Sequence, residues 1–332
     1  MKDKIKMLRE DQDLLRLIFV AIFVFSLMAV LSPSKFFSVN NFNSMGYQVV
    51  ELGIFSLAMM LAMLAGGIDL SIISISNLAS ITAAYILHYA KVKELTGVAV
   101  WGFILLAVLA AIIVGAVCGA LNSFLISVIG LKPMLATLGT MNLFSGIAIV
   151  ITQAKSVSKM PSQFLYFGNH TFLGIPIPFL VLCLIVILIT TIINKTAFGF
   201  QVRFVGSNPK ASFFTGIPNK KILFKTYMLT GMICSIAGLE VLMRNGSAKA
   251  DYGSSYVFQA ILCCILGATN PNGGYARISC LLLALVTMQF LSSGFSMLHL
   301  SGYYTDFANG LLLLIVLAVY FYSLVYKNKK VK

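Results

Sequence analysis

The sequence Gly66-Gly67-Ile68-Asp69-Leu70-Ser71 is a polar break inside a long and otherwise apolar stretch. An aspartate at the centre of a membrane-spanning helix costs about 2.5–3.5 kcal/mol on insertion scales, so intramembrane carboxylates usually face a cavity, a partner or a pathway. Adjacent glycines let the backbone bend and let neighbouring helices approach closely. The break therefore favours a transporter, and it predicts that Gly66, Gly67, Asp69 and Ser71 line the substrate pathway.

The composition places the chain in the membrane. Of its 332 residues, 59% are hydrophobic and 10% are charged, whereas ordinary soluble domains are about 25% charged. Apolar runs of roughly 20 residues follow one another, and this pattern is typical of a polytopic helical membrane protein. The runs are continuous rather than alternating, which excludes a transmembrane β-barrel. The first run is long for a signal-peptide core, so we expect no cleaved leader.

Ten spans account for the hydropathy pattern, in a single transmembrane domain covering residues 1–332. The predicted spans are about 14–31, 45–65, 70–90, 98–129, 133–153, 175–193, 222–243, 256–268, 278–298 and 304–326. The fourth is long for one crossing, which predicts a tilted or projecting helix. The eighth is short and runs into a glycine-rich segment, a feature that often marks the pathway of a transporter.

The distribution of basic residues sets the orientation. With the N-terminus inside, 17 of the 24 Lys and Arg residues fall on the cytoplasmic side, and this bias predicts that both termini are cytoplasmic. The other seven are Lys35, Lys91, Lys93, Lys155, Lys159, Arg244 and Lys249. The net charge of +14 is thus a topology signal, and the sequence predicts no nucleic-acid partner.

Few polar residues lie inside the spans, and each needs an explanation. Glu51, Asn122 and Gln259 join the candidates for the substrate pathway. Asn122 follows Gly115-x-x-x-Gly119, a spacing that favours close helix packing. Glu240 lies four residues before Arg244, so we expect these two side chains to pair along their own helix.

The predicted cytoplasmic loop, about 194–222, has the features of a docking segment. Asn208 is a suitable N-cap with Pro209 at the first helical position, and Gly216 follows Thr215 where a short helix must end. Phe213 and Phe214 on this helix predict insertion into a groove on a partner protein, although an ordinary interfacial loop is the alternative. The chain contains no Gly-Lys dipeptide and hence no phosphate loop, so an ATPase must be a separate chain.

An ordered set of short motifs identifies the family that this sequence resembles. The motifs are Gly66–Ser71, Gly119-Ala120-Leu121-Asn122, Ala136-Thr137-Leu138-Gly139-Thr140, Thr196-Ala197-Phe198-Gly199, Gly206-Ser207-Asn208-Pro209-Lys210-Ala211 with Thr215-Gly216-Ile217, and Ile265-Leu266-Gly267-Ala268-Thr269 with Gly273-Gly274. In this order they resemble the membrane permease subunits of bacterial ABC importers for simple sugars, the ribose, xylose, rhamnose and autoinducer-2 group.

The resemblance implies a multi-pass permease of the bacterial cytoplasmic membrane that carries a monosaccharide or a sugar-like molecule. It implies cytoplasmic ATPase subunits, an extracytoplasmic substrate-binding protein, and a second permease copy or a sister permease as partners. The loop residues expected to contact the ATPase are Gly206, Asn208, Pro209, Ala211, Phe213, Phe214, Thr215 and Gly216. The resemblance implies no catalytic residue, cofactor or metal.

The sequence departs from the family at three places. Ile72-Ile73-Ser74 stands where a small residue is usual, Gln259 stands near a position where a carboxylate is common, and the late glycine motif is reduced to Gly273-Gly274. We expect these changes to alter the choice of substrate.

A proton-coupled secondary transporter remains an alternative, because Asp69 and Glu51 offer titratable carboxylates. An intramembrane enzyme would need a cluster of reactive groups, which the sequence does not show.

Overall fold

The computed structural model describes residues 2–299, 302–311, 313 and 314, with side chains from residue 14 onward. Eight of its helices are long and apolar enough to cross a membrane: Leu14–Leu31, Val39–Leu64, Ile72–Val92, Val98–Ile129, Pro133–Thr152, Ile177–Lys195, Asn219–Asn245 and Ile278–Met297. The apolar helix Tyr256–Leu266 is shorter. These helices confirm an all-α polytopic membrane protein. The tenth predicted span begins in the helical residues 302–311, and its part beyond residue 314 lies outside the described residues.

The helices are numbered in chain order. They are α1 (Lys2–Leu31), α2 (Pro33–Phe36), α3 (Val39–Leu64), α4 (Ile72–Val92), α5 (Val98–Phe124), α6 (Pro133–Thr152), α7 (Ser162–Asn169), α8 (Ile177–Lys195), α9 (Ala197–Ser207), α10 (Pro209–Phe214), α11 (Asn219–Asn245), α12 (Tyr256–Leu266) and α13 (Ile278–Met297). The strands are β1 (Val157–Ser158), β2 (Thr171–Phe172), β3 (Ile175–Pro176) and β4 (Ser247–Ala248). Strand β1 pairs antiparallel with β4, and β2 pairs antiparallel with β3.

Helices α3, α4, α5 and α11 form the centre of the bundle, and small residues permit their close approach. A side chain at Gly119 on α5 would overlap the backbone carbonyl of Tyr227 on α11, and one at Gly115 would lie 2.8 Å from the Cβ atom of Ser235. The expected role of the Gly115-x-x-x-Gly119 spacing is therefore confirmed. Packing of this kind replaces the hydrophobic effect as the source of association between helices in lipid.

The two unusual spans have identifiable local structures. Helix α5 continues for a further turn as the π-helix Leu125–Ile129, which ends at Gly130 with a positive φ of 88°. Helix α12 ends at Leu266, and an irregular connection then leads to α13. The short eighth span is thus confirmed as a short helix that continues into a non-helical segment.

Backbone contacts define the two ends of the bundle. At one end, α7 lies beside the end of α11, and the β1–β4 pair contacts α4 and α11. The Tyr47 hydroxyl of α3 donates there to the Asn169 carbonyl over 3.2 Å. We call this the α7 end. At the opposite end, the last residue of α3, Leu64, lies against Gly206 and Gly274. We call it the α10 end, and it is the end that the charge bias predicts to be cytoplasmic.

Candidate functional site

The break between α3 and α4 lies at the α10 end of the bundle. Gly66 has a φ of 93°, in the left-handed region that glycine adopts without strain. A Cβ atom at Gly67 would lie 2.7 Å from the Cγ atom of Pro133 and would overlap the hydroxyl of Tyr227. The two glycines therefore serve different purposes. Gly66 permits the left-handed backbone conformation of the turn, and Gly67 leaves room for Pro133 and Tyr227 to approach closely.

Asp69 is fully buried in this break. One carboxylate oxygen accepts a hydrogen bond from the backbone N–H of Ser71 over 2.9 Å and another from the Ser71 hydroxyl over 2.6 Å. The other oxygen, Oδ2, is buried and has no hydrogen-bond partner among the described residues. The carboxylate thus holds the turn that starts α4, and it keeps one oxygen available to a further donor.

A chain of hydrogen bonds continues from Ser71 across three helices. The Asn122 amide donates to the Ser71 hydroxyl over 2.7 Å, and the Thr140 hydroxyl donates to the Asn122 carbonyl oxygen over 2.6 Å. The backbone N–H of Leu70 donates to Thr137 over 3.1 Å. The structure therefore brings together three predicted site residues, Asp69, Ser71 and Asn122. Their role in a substrate pathway stays a prediction.

Thr137 and Thr140 belong to this network, and the residue-by-residue reading of the sequence did not select them. Both are buried, on the face of α6 that is turned to the bundle. Their spacing of three residues puts two hydroxyls on one side of a helix, and this pattern in the sequence could have identified them as site residues. The motif that contains them was used only for the family resemblance.

Glu51 lies elsewhere, near the middle of α3. Its carboxylate accepts a hydrogen bond from Arg244 at 3.0 Å and another from the Tyr256 hydroxyl at 2.7 Å. The expected pairing of Glu240 with Arg244 is wrong: Arg244 contacts Glu51, and both carboxylate oxygens of Glu240 lack a hydrogen-bond partner among the described residues. Both carboxylates are buried, so the four-residue spacing along α11 does not decide which of them Arg244 contacts.

A polar cavity of about 220 Å³ opens at the α7 end beside this ion pair. Its lining is entirely polar and consists of Ser44, Tyr47, Gln48, Asn169 and Arg244. Below it, the Gln289 amide donates to Gln48 over 3.0 Å. Because Glu51 balances the charge of Arg244, the cavity offers neutral hydrogen-bonding groups to a small solute.

Gln259 does not join either group of residues. It lies on α12, where its amide donates to the Asp306 carboxylate over 3.4 Å. Asp306 itself is exposed. The seven pathway candidates are therefore spread over three places in the bundle.

The loop between α8 and α11 folds as two short helices. The Asn208 side chain accepts hydrogen bonds from the backbone N–H groups of Lys210 at 3.1 Å and Ala211 at 3.0 Å, so the predicted N-cap of α10 is confirmed. Pro209 occupies the first turn, as predicted. Helix α10 ends at Phe214, with Thr215 as its C-cap, and Gly216 follows with a φ of 81°.

Helix α10 is tied to the bundle on one side and open on the other. The buried Ser212 hydroxyl donates to the Asn219 side chain over 2.9 Å, and the Asn219 amide donates to the Pro209 carbonyl over 2.7 Å. On the opposite side, Phe213 is 68% exposed and Phe214 is 85% exposed. Their rings meet edge to face, with centroids 6.0 Å apart. The result is a capped and anchored helix with two exposed aromatic rings.

Cysteines and metal-type clusters do not extend the site. All six cysteines are free, and five of them are buried. Among the described residues, no group of His, Cys, Asp and Glu side chains is arranged to hold a metal ion. Cys263 and Cys264 are buried and pack as small core residues.

The spans, the broken helices and the buried polar networks define a helical multi-pass membrane transport protein. The family model described as "Branched-chain amino acid transport system / permease component" matches residues 42–317. The chain therefore belongs to this permease family, and it is a multi-pass protein of the bacterial cytoplasmic membrane.

The chain is also similar to curated permease proteins. The chain is 30% identical to the autoinducer 2 import system permease protein LsrD of Photorhabdus temperata, over 80% of this chain and 78% of that protein. It is 30% identical to the LsrD protein of Yersinia enterocolitica, over 86% and 85% of the two chains. It is 31% identical to the LsrD protein of Salmonella paratyphi B, over 80% of this chain and 78% of that protein. No solved structure matches the chain.

Proposed function

We propose that this chain is the translocating subunit of an ATP-driven importer for a monosaccharide or a similar small polar solute, and that a separate cytoplasmic ATPase supplies the energy. The observation that carries this proposal is helix α10, a capped and anchored helix with Phe213 and Phe214 exposed. In this assignment the chain itself catalyses no reaction.

The geometry of α10 suits a mechanical contact. Burying one Phe side chain contributes roughly 1.5–3 kcal/mol, so two adjacent rings supply a substantial part of a docking energy. The hydrogen bonds from Ser212 to Asn219 and from Asn219 to the Pro209 carbonyl fix the helix relative to α11. A force applied to α10 is therefore passed to the bundle rather than absorbed by a flexible loop.

The polar interior supports a neutral, hydrogen-bonding substrate. The cavity at the α7 end holds about 220 Å³, below the roughly 300–1,000 Å³ of clefts for drug-sized ligands, which suits a small solute. Arg244 in its lining is neutralised by Glu51 at 3.0 Å. The names of the relatives, which import autoinducer 2, agree with a solute of this size and polarity.

The proposal includes an orientation and an assembly. The α10 end faces the cytoplasm and docks the ATPase, whereas the α7 end receives substrate from an extracytoplasmic binding protein. A second copy of this chain or a sister permease completes the pathway across the lipid bilayer. Support comes from the bias of basic residues toward the α10 end and from the family resemblance.

The energy source separates this proposal from a proton-coupled transporter. Uptake of labelled ribose, xylose and rhamnose is measured in membrane vesicles from the native bacterium and from a strain that lacks this chain. We expect uptake that depends on this chain and on ATP, and that persists when the pH gradient is collapsed. Uptake driven by a pH gradient without ATP would instead support the secondary transporter, with Asp69 or Glu51 as the titrating group.

A further inference from the structure

Three interruptions of the helical bundle meet at one point at the α10 end. They are the α3–α4 break at Gly66, the end of α9 at Gly206, and the α12–α13 connection at Gly273-Gly274. A Cβ atom at Gly273 would lie 2.7 Å from the Cα atom of Gly66, and one at Gly206 would lie 2.8 Å from the backbone nitrogen of Gly274. We name these four glycines the glycine junction.

The contacts in the glycine junction are made by backbone atoms. The N–H of Gly274 donates to the carbonyl of Leu64 over 3.0 Å, at the point where α3 ends and this carbonyl loses its helical partner. A Cβ atom at Gly206 would overlap the same carbonyl oxygen. Gly273 and Gly274 have φ angles of 93° and 81°, which L-residues with side chains rarely adopt. Any added methyl group at Gly206 must therefore displace one of the other two segments.

Helix α10 starts immediately after the junction. Gly206 is two residues before Asn208, whose side chain caps α10. A Cβ atom at Gly274 would lie 2.7 Å from the Cβ atom of the intervening residue, Ser207. Because close-packed backbone is nearly incompressible, a displacement of α10 must move the α3–α4 break and the α12–α13 connection with it.

The broken segments lead directly to the polar residues of the bundle. The α3–α4 break contains Asp69 and Ser71, which connect to Asn122 on α5. The α12–α13 connection follows α12, whose Tyr256 donates to Glu51. The junction thus joins α10 to the two segments that are connected to these groups of polar residues.

We propose that Gly206, Gly273 and Gly274 are positioning residues for energy coupling, which pass the displacement of α10 to the two broken connections. This inference rests on the proposed function, since it requires that α10 docks an ATPase. It adds that the junction moves as one unit with α10 during the transport cycle.

The first experiment compares Gly206→Ala with Gly102→Ala in the complete transporter. Gly102 is also helical, but a Cβ atom there meets nothing within 4 Å. We expect Gly206→Ala to lower ATP-driven uptake about tenfold while the ATPase still co-purifies. The added methyl group overpacks the junction, and overpacking that raises the barrier of the transport cycle slows uptake by about this factor. Gly102→Ala keeps native uptake. Native uptake by a folded Gly206→Ala variant overturns the inference.

A second experiment uses substitutions at exposed positions, so that folding is not at issue. Spin labels are placed on the exposed residues Lys210 of α10 and Asn272 of the α12–α13 connection, with a second pair on Lys210 and Lys155 at the α7 end. The half-buried Cys183 is replaced by Ser, and the other cysteines are buried. Distances are compared between the nucleotide-free and the ATP-trapped transporter.

We expect the 210–272 distance to stay constant while the 210–155 distance changes. A change in the 210–272 distance as large as that in the 210–155 distance contradicts the inference, and so does a constant distance for both pairs. Failure of the proposed function looks different, because the native complex then shows no ATP-driven uptake and no bound ATPase.

Discussion

The side-chain amide of Asn122 donates a hydrogen bond to the hydroxyl oxygen of Ser71 over 2.7 Å, which joins the middle of the bundle to the start of α4. Through Ser71 this bond reaches the buried carboxylate of Asp69. Asn122 also accepts from Thr140, so one amide bridges two hydroxyls on different helices. The α3–α4 break is therefore held by a polar network as well as by the shape of its glycines.

Replacing Asn122 by Leu should destabilise the folded protein by about 1–3 kcal/mol, because it removes two buried hydrogen bonds, one to the Ser71 hydroxyl and one from the Thr140 hydroxyl. Unfolding in detergent measures the change. The matched control is Asn142→Leu, since Asn142 is exposed and its amide donates only to Leu138 of its own helix. Equal stability of the two variants would show that the network contributes nothing.

Removing Arg244 should also destabilise the protein, by about 2 kcal/mol, less than the roughly 3–5 kcal/mol of a fully buried pair because its side chain is 28% exposed. Arg244→Met leaves the carboxylate of Glu51 without its cation. The double variant Glu51→Gln, Arg244→Met should recover part of the loss, since no charge is then left unpaired. A double variant as unstable as the sum of the two single ones argues against the pair.

The second glycine of the break should not tolerate bulk. Gly67→Leu forces a side chain into Pro133 and Tyr227, so we expect uptake to be lost. Gly139→Leu on α6 is the control, because a Cβ atom at Gly139 meets nothing within 4 Å. Protein amount and unfolding temperature are measured beside uptake, to separate a blocked pathway from a protein that does not fold.

Asp69→Asn tests whether the break requires charge. Asn keeps a side-chain oxygen that accepts from Ser71, so the turn should persist and the unfolding temperature should stay close to the native one. We expect uptake to fall, because the unpartnered carboxylate oxygen is then lost. Native uptake by both Asp69→Asn and Gly67→Leu would contradict the assignment of the break to the substrate pathway.

Local patterns in the sequence predict those parts of the fold that depend on neighbouring residues. Asn208, Pro209 and Gly216 mark the start and end of α10, because capping uses groups within three or four residues. The Gly115-x-x-x-Gly119 spacing likewise predicts which face of α5 another helix approaches. The apolar runs predict the spans, although α3 starts at Val39 rather than near residue 45, which puts Glu51 in mid-helix.

Contacts between distant residues are not encoded in such patterns. Arg244 pairs with Glu51, 193 positions away, although the sequence offered Glu240 one turn before it. The junction of Gly66, Gly206 and Gly273 joins three motifs that each look like an isolated turn in the sequence. Only the packing of the bundle shows that the break lies beside the start of α10.

The most direct test of the account measures ATP hydrolysis in the complete transporter. The native chain and the variant Phe213→Ala, Phe214→Ala are each purified with the ATPase subunits and the binding protein, and hydrolysis is measured with and without substrate. Each truncated ring removes roughly 1.5–3 kcal/mol of potential contact energy, so we expect the variant to lose bound ATPase or its stimulation by substrate. Binding of the substrate-loaded binding protein should remain native. Native ATPase binding together with native stimulation would contradict the assignment of α10 as the coupling contact.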